Sequence, residues 1–438
     1  MSLRLALAVL ATVSLLVACG DRNPPLPGQR LPLRDGLASA TAAQANRAAP
    51  VPLPAASVNA DWTQRGGNAA HQLAHPALGP ALQPVFFTAI GEGDSRRARI
   101  TAEPVVAGGR VFAMDARAIV SALAPTGALL WQVDLTPPNA RREDASGGGL
   151  ASDGRVLYVT TGYGRIHALD AATGAERWVQ DVNAPAGAAP TISGNLLYVV
   201  SRDSRAWALD TATGRIRWQM GGTPAVSTYA AGGAGVAMAP GMAIVPFPSG
   251  EVRGVFPDGG LQRWAQVVAG SRPGQSGGIS ATDIAGGPVV VGNTAYVANA
   301  GGRMAAIDTT TGDRRWSAGE GSTGGLWVAG GSVFVVNDVN ELVRLQAGDG
   351  QVVWRVALPL WTRPEHRQRS ERFVQYGPIL AGGRLIVASS DGVLRQFDPA
   401  SGALLGEVAL PDGAASAPVV AGGVLYVLLK NGVLAAFR

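Results

Sequence analysis

Ala168-Leu169-Asp170-Ala171-Ala172-Thr173-Gly174-Ala175-Glu176-Arg177-Trp178 decides the fold, because the same skeleton returns at Ala208 to Trp218 and at Ala306 to Trp316. Asp suits the first position of a type I turn, and Gly takes the left-handed conformation that closes such a hairpin with a bulge. One strand therefore ends at the Asp, and the next starts near the Trp. Trp131, Trp178, Trp218, Trp264, Trp316 and Trp354 each stand four residues after a glycine, and Gly406 replaces the aromatic in the seventh repeat. Upstream of each such stretch lies a Pro-Val-Val type strand, a Gly-Gly or Gly-Asn turn and a second apolar strand. This half is clearest from Glu103 to Phe112, and it begins again at Gly287-Pro288-Val289-Val290, Gly377-Pro378-Ile379-Leu380 and Ala417-Pro418-Val419-Val420.

Together the halves give four antiparallel strands, and the unit recurs eight times between residues 61 and 438. Four strands every roughly 40 to 50 residues predict an all-β chain folded as an eight-bladed β-propeller. The eighth unit stops at Ala436-Phe437-Arg438, short of its outer strand. Pro84 to Ile90 supplies that strand, with Phe87 in the aromatic place, so the ring closes through an N-terminal strand and leaves no unpaired edge at the seam. The six tryptophans are expected to pack between neighbouring blades rather than to stack on a ligand.

Ahead of the ring, Met1 to Arg4 and the uncharged run Leu5 to Ala18 match a basic n-region followed by the apolar core of an export signal, too short for an ordinary membrane span. Residues 1 to 18 read as a signal peptide. Leu16-Val17-Ala18-Cys19 resembles a bacterial lipobox, and Cys19, the only cysteine, is the expected lipidation site. Gly20 follows it where lipoproteins retained at the inner membrane typically carry Asp, so the resemblance implies the outer membrane. From Cys19 to residue 60 the chain is rich in Pro, Ala, Leu and Arg without a sustained period, which reads as a disordered tether.

Charge narrows the function classes. The formal net charge is +5, but the basic residues are almost all Arg, with Lys430 the only lysine, and they are scattered. A nucleic-acid partner would require a clustered basic stripe. Gly274-Gln275-Ser276-Gly277-Gly278 has the Gly-x-Ser-x-Gly spacing of hydrolases, yet no helix follows to form the elbow that exposes the serine, so a flexible loop is expected. His71 and His75 have helix-like metal spacing, but Gly and Pro surround them and no third ligand stands nearby. Asp170, Asp210 and Asp308 recur regularly enough to suggest calcium, and each is accounted for as a turn residue. No catalytic residue, cofactor or metal is expected.

The repeated Ala-Leu-Asp-x-x-Thr-Gly-x-x-x-Trp pattern resembles the blades of pyrroloquinoline-quinone-type propellers, and with a lipobox, a tether and eight such blades the whole mature chain is similar to the BamB family of outer-membrane β-barrel assembly lipoproteins. The resemblance implies a non-enzymatic scaffold on the periplasmic side of the outer membrane. It would bind the barrel-forming subunit BamA, with unfolded outer-membrane proteins as a further partner class. Ala281 to Val290 is similar to the family stretch that contacts that subunit: Asp283 fits the first of its two acids, and Ala285 departs from the second. The family's other contact loop falls roughly on Met220 to Ala234. Independently of the resemblance, the long connections at 136–148, 219–233, 268–285 and 359–376 are all blade-to-blade crossings, which share one face of a propeller and place Arg272, Arg363, Arg367, Arg369 and Arg372 beside Asp283. The rivals are a quinone-dependent dehydrogenase, disfavoured because those enzymes typically add a vicinal disulfide and the single cysteine here is consumed by lipidation, and a periplasmic polymer-binding or sensor protein.

Overall fold

The apolar runs and turn residues fold as the repeat predicts. In a computed structural model describing residues 46–225, 233–272, 282–363, 365 and 371–438, eight four-stranded antiparallel sheets follow one another along the chain. Blades 1 to 7 occupy residues 105–134, 148–181, 191–221, 237–267, 289–318, 326–357 and 375–409. Blade 8 combines three strands of 419–437 with Pro84–Ala89, which pairs antiparallel with Val433–Phe437. Inner strands are buried almost throughout, whereas an outermost strand such as Glu176–Asp181 alternates exposed and half-buried residues, so the core lies between the blades.

The motif is explained by contacts across blade boundaries. The indole N–H of Trp131 donates to Ala171 O (3.2 Å), that of Trp178 to Thr211 O (3.0 Å) and that of Trp218 to Pro257 O (2.7 Å), always on the turn of the following blade. Trp264, Trp316 and Trp354 repeat the contact with Thr309, Ala347 and Pro399. The turn glycine meets two demands at once: Gly174 has φ +76°, and a Cβ there would lie 2.8 Å from the Trp131 ring. The motif Asp caps its own turn. Asp170 Oδ1 accepts from Ala172 N and Thr173 N, both at 3.0 Å, so no cation is needed there.

Two expectations are corrected at the N-terminal end. Closure through Pro84–Ala89 is as expected, but the aromatic place belongs to Phe86, not Phe87. Phe86 pairs with Ala436 and its ring packs 6.3 Å from Tyr426, as Trp178 pairs with Ala168 and packs 5.9 Å from Tyr158. The strand has the same bulge before its aromatic, between Pro84 and Phe86, as the other blades, and Phe87 faces outward. Residues 46–60, assigned above to the tether, are bound to the propeller. Arg47 N donates to Val353 O, Asn46 exchanges hydrogen bonds with the backbone of Arg355, and the buried Arg344 guanidinium donates to the carbonyls of Ala49, Pro50, Pro399 and Ala400. Burial depresses the Arg344 pKa, and hydrogen bonds to the four carbonyls offset the cost of burying its charge.

Residues 59–76 then circle the axis and touch the inner region of every blade. Blade 1 exchanges two backbone bonds between Trp62 and Val106 (2.7 and 2.9 Å), and blade 8 bonds Asn59 through Val420 and Gly422. Ser152, Met238, Val290 and Gly382 donate backbone N–H groups to Thr63, Ala69, Ala70 and Pro76, while Gln64 joins Ile192 and Gln72 joins Val328 O. Inner strands are sheet edges with unpaired backbone groups, and this circuit pairs some of them. Trp62 stacks on Trp327, with ring centroids 6.2 Å apart, within it.

Candidate binding face

Because residues 59–76 close the turn end of the axis, the space left along it opens at the crossing end. This is a cavity of about 620 Å³ lined by residues that lead into the inner strands, among them Thr101, Glu103, Gly187, Gly324 and Tyr376. Arg65 reaches into it from the circuit. Its Nη1 donates to the carbonyls of Gly233 (2.9 Å) and Ala285 (3.2 Å), and its Nε lies 3.4 Å from Glu103. Burial raises the Glu103 pKa against the opposing pull of Arg65. The crossing 90–104, which the sequence did not single out, contributes Asp94, Arg99, Thr101 and Glu103 to this wall; its length alone could have flagged it.

The expected contact residues are not equivalent. Arg272 is committed to an internal network: Nη2 donates to Glu320 (2.8 Å) and Asp338 (2.7 Å), and Nε to the other oxygen of Asp338 (3.1 Å). Arg355 completes the network through Glu320 and Glu341, both at 3.1 Å, and Asn337 bridges the same two acids. Burial opposes the Arg272 charge, but its hydrogen bonds to Asp338 and Glu320 outweigh that and raise its pKa. Arg272 therefore anchors the base of its crossing.

Asp283 also departs from expectation. It is only 5% exposed, its carbonyl accepts from Ala300 N at 2.8 Å, and it shares a small pocket with Arg202. Burial lowers the Arg202 pKa while the Asp283 charge opposes that shift, so the acid serves first as an internal counter-charge. The loop is not an open surface at this point, because the crossing folds back against blade 3.

Arg363 is exposed, and Arg372 lines the cavity with its guanidinium 4.9 Å from the Trp361 ring centroid, on a short hairpin stem where Thr362 N donates to Glu371 O. Arg367, Arg369, Cys19 and the Gly274 to Gly278 loop lie outside the described residues. His71 and His75 do not converge: His71 Nδ1 meets Pro288 O at 2.9 Å, whereas His75 bridges Pro54 O and Gly383 N. Among the described residues no cluster of three or more metal-ligating side chains occurs.

Such a ring, with elaborated crossings on one face, defines a member of the eight-bladed β-propellers, a class that hosts enzymes and adaptors alike. The profile of the family described as outer membrane protein assembly factor BamB matches residues 116–356 and 358–438, and the chain belongs to that family. The BamB of Salmonella typhimurium is 32% identical over 355 residues, covering 80% of this chain and 86% of the relative. That of Xanthomonas campestris is 31% identical over 368 residues, covering 82% and 86%. The crystal structure of BamB from Moraxella catarrhalis superposes with a TM-score of 0.63 at 22% identity, over 82% of this chain and 98% of that one. A quinohemoprotein alcohol dehydrogenase from Comamonas testosteroni superposes with a TM-score of 0.65 at 15% identity, a likeness of fold alone. The family is named for an assembly role and not for a reaction.

Proposed function

We propose that this outer-membrane protein assembly factor is a lipoprotein, acylated at Cys19 and facing the periplasm, that binds the barrel-forming subunit BamA through its crossing-loop face and assists the folding and insertion of outer-membrane proteins. Family membership over most of the ring is the observation that carries the reading. The sealed opposite face supports it, because a scaffold closed underneath by residues 59–76 presents its long crossing loops on one side only. The cationic loop 363–372 contributes orientation and encounter rate, as charges at an interface rim do. Asp283 acts behind the surface, holding Arg202 and the base of its crossing.

Affinity capture with the tagged full chain tests this. The barrel-forming subunit should co-purify with the native chain, and much less of it with a chain carrying Arg363→Glu, Arg367→Glu, Arg369→Glu and Arg372→Glu. Capture by neither chain would reject the partner. Undiminished capture by the variant at low salt would reject the loop. Acyl labelling of Cys19→Ala separately tests the anchor, which fails if that variant is still labelled and fractionates with the outer membrane.

A further inference from the structure

The outer rim of the propeller is two-sided. At the residue just before the aromatic place, blades 2 to 5 carry exposed arginines: Arg177, Arg217, Arg263 and Arg315. In blades 7, 8 and 1, which are consecutive in the closed ring, the same place holds Leu405, Val85 and Leu130. Leu404, Leu129 and Phe87 adjoin them, and all six side chains are 46–59% exposed. Blade 6 has Val353 at this place, and there it is buried, because Arg47 N bonds its carbonyl and Ala49 and Val51 pack against the same cluster. An apolar arc thus runs over blades 6, 7, 8 and 1, covered on blade 6 by the chain's own N-terminal segment. Single apolar residues also show on blades 2 to 4, such as Val179 and Ile216, but each has an arginine close by in its strand.

We propose that the exposed arc on blades 7, 8 and 1 rests on the headgroup and acyl boundary of a phospholipid bilayer. The emergence of the chain at blade 6 favours a lipid surface as occupant. Cys19 stands 27 residues before Asn46, a length that spans at most about 97 Å. Acylation at Cys19 would hold a bilayer within that reach of the ring, and the described chain joins the propeller at blade 6, beside the exposed arc. Tethering raises the effective concentration of such a surface to roughly the millimolar range, so an arc too weak to bind lipid alone can engage it. Partly buried leucines and phenylalanine at a bilayer interface stabilise contact in proportion to the apolar area removed from water. The arginine side of the ring then faces away. This rests on the lipid anchor of the proposed function but not on the partner.

The thiol of Cys19 is consumed by acylation, so a single introduced cysteine can carry an environment-sensitive fluorophore. Full chains with Leu405→Cys or Arg217→Cys are labelled with a nitrobenzoxadiazole dye and bound to phosphatidylethanolamine and phosphatidylglycerol vesicles. The dye at position 405 should brighten by at least about twofold and shift to the blue, with no change at 217. In an unacylated Cys19→Ser background the same difference should need more than about 100-fold more lipid. Equal responses at the two positions in both backgrounds would overturn the proposal, as would a response at 405 that follows protein concentration without vesicles and marks a second copy as the occupant. A 405-specific response in the Cys19→Ser chain at high lipid, together with a chain retaining Cys19 that mass spectrometry shows to lack lipid, would support the arc and reject only the anchor.

Discussion

Asp283 and His71 show how a buried ionisable side chain changes its meaning with its surroundings. Asp283 was legible as an acid ahead of a Pro-Val strand, but its burial was not, because that depends on Arg202 in blade 3, about 80 residues away in sequence. Asp283→Arg places two guanidinium groups in one buried pocket and should cost about 3 to 5 kcal/mol of stability. Chemical denaturation would show this as a lower midpoint, and a midpoint equal to that of the native chain would contradict the burial. His71 is driven down to about 4 by burial and, secondarily, by the Arg65 charge, against the carbonyl of Pro288. Its folded pKa lies below the unfolded value, so the unfolded chain binds the proton first. The contribution is intact above about pH 6.5 and declines as pH falls toward 4, by an amount on the order of 3 kcal/mol. The difference in melting temperature between the native chain and His71→Gln should therefore shrink between pH 7 and pH 4.5; a difference that stays constant would exclude this role.

At the scale of the strand and turn, most of the design was readable because each repeat states it again. The spacing from glycine to tryptophan reports a contact between blades, with Gly174 under Trp131 and the indole N–H on Ala171 O. Trp354, fully buried against the next blade, should lose about 3 to 5 kcal/mol on replacement by alanine. Trp354→Phe, which forfeits chiefly the hydrogen bond to Pro399 O, should lose less. Equal losses would mean that packing volume plays little part. The misplacement of Phe87 has a local cause: the blade 8 outer strand lacks the preceding turn glycine that marks the aromatic place elsewhere, so nothing in the sequence tells Phe86 from Phe87. Residues 46–76 were illegible for a different reason. They bind through backbone groups and single side chains such as Gln64, which leave no hydrophobic period.

Over the whole molecule, those N-terminal residues make the ring more than the sum of its blades. Removing residues 20–45 should leave the melting temperature nearly unchanged. Removing 20–58 should lower it, because the Arg344 guanidinium loses the carbonyls of Ala49 and Pro50 and blade 6 loses the segment bound to Val353 and Arg355. Removing 20–83 should lower it further by stripping hydrogen-bond partners from all eight blades. Equal melting temperatures for the three truncations would refute the circuit. The sealed underside also gives the molecule a direction, with the crossings and the axial cavity at the other end. The most direct measurement of the docking role is hydrogen–deuterium exchange of the full chain with and without the barrel-forming subunit. Slowed exchange should appear in peptides covering 136–148 and 359–376, with little change across residues 59–76 or the turns at Asp170 and Asp210. Protection confined to that underside, or to the outer strands, would contradict a scaffold that binds its partner through the crossing-loop face.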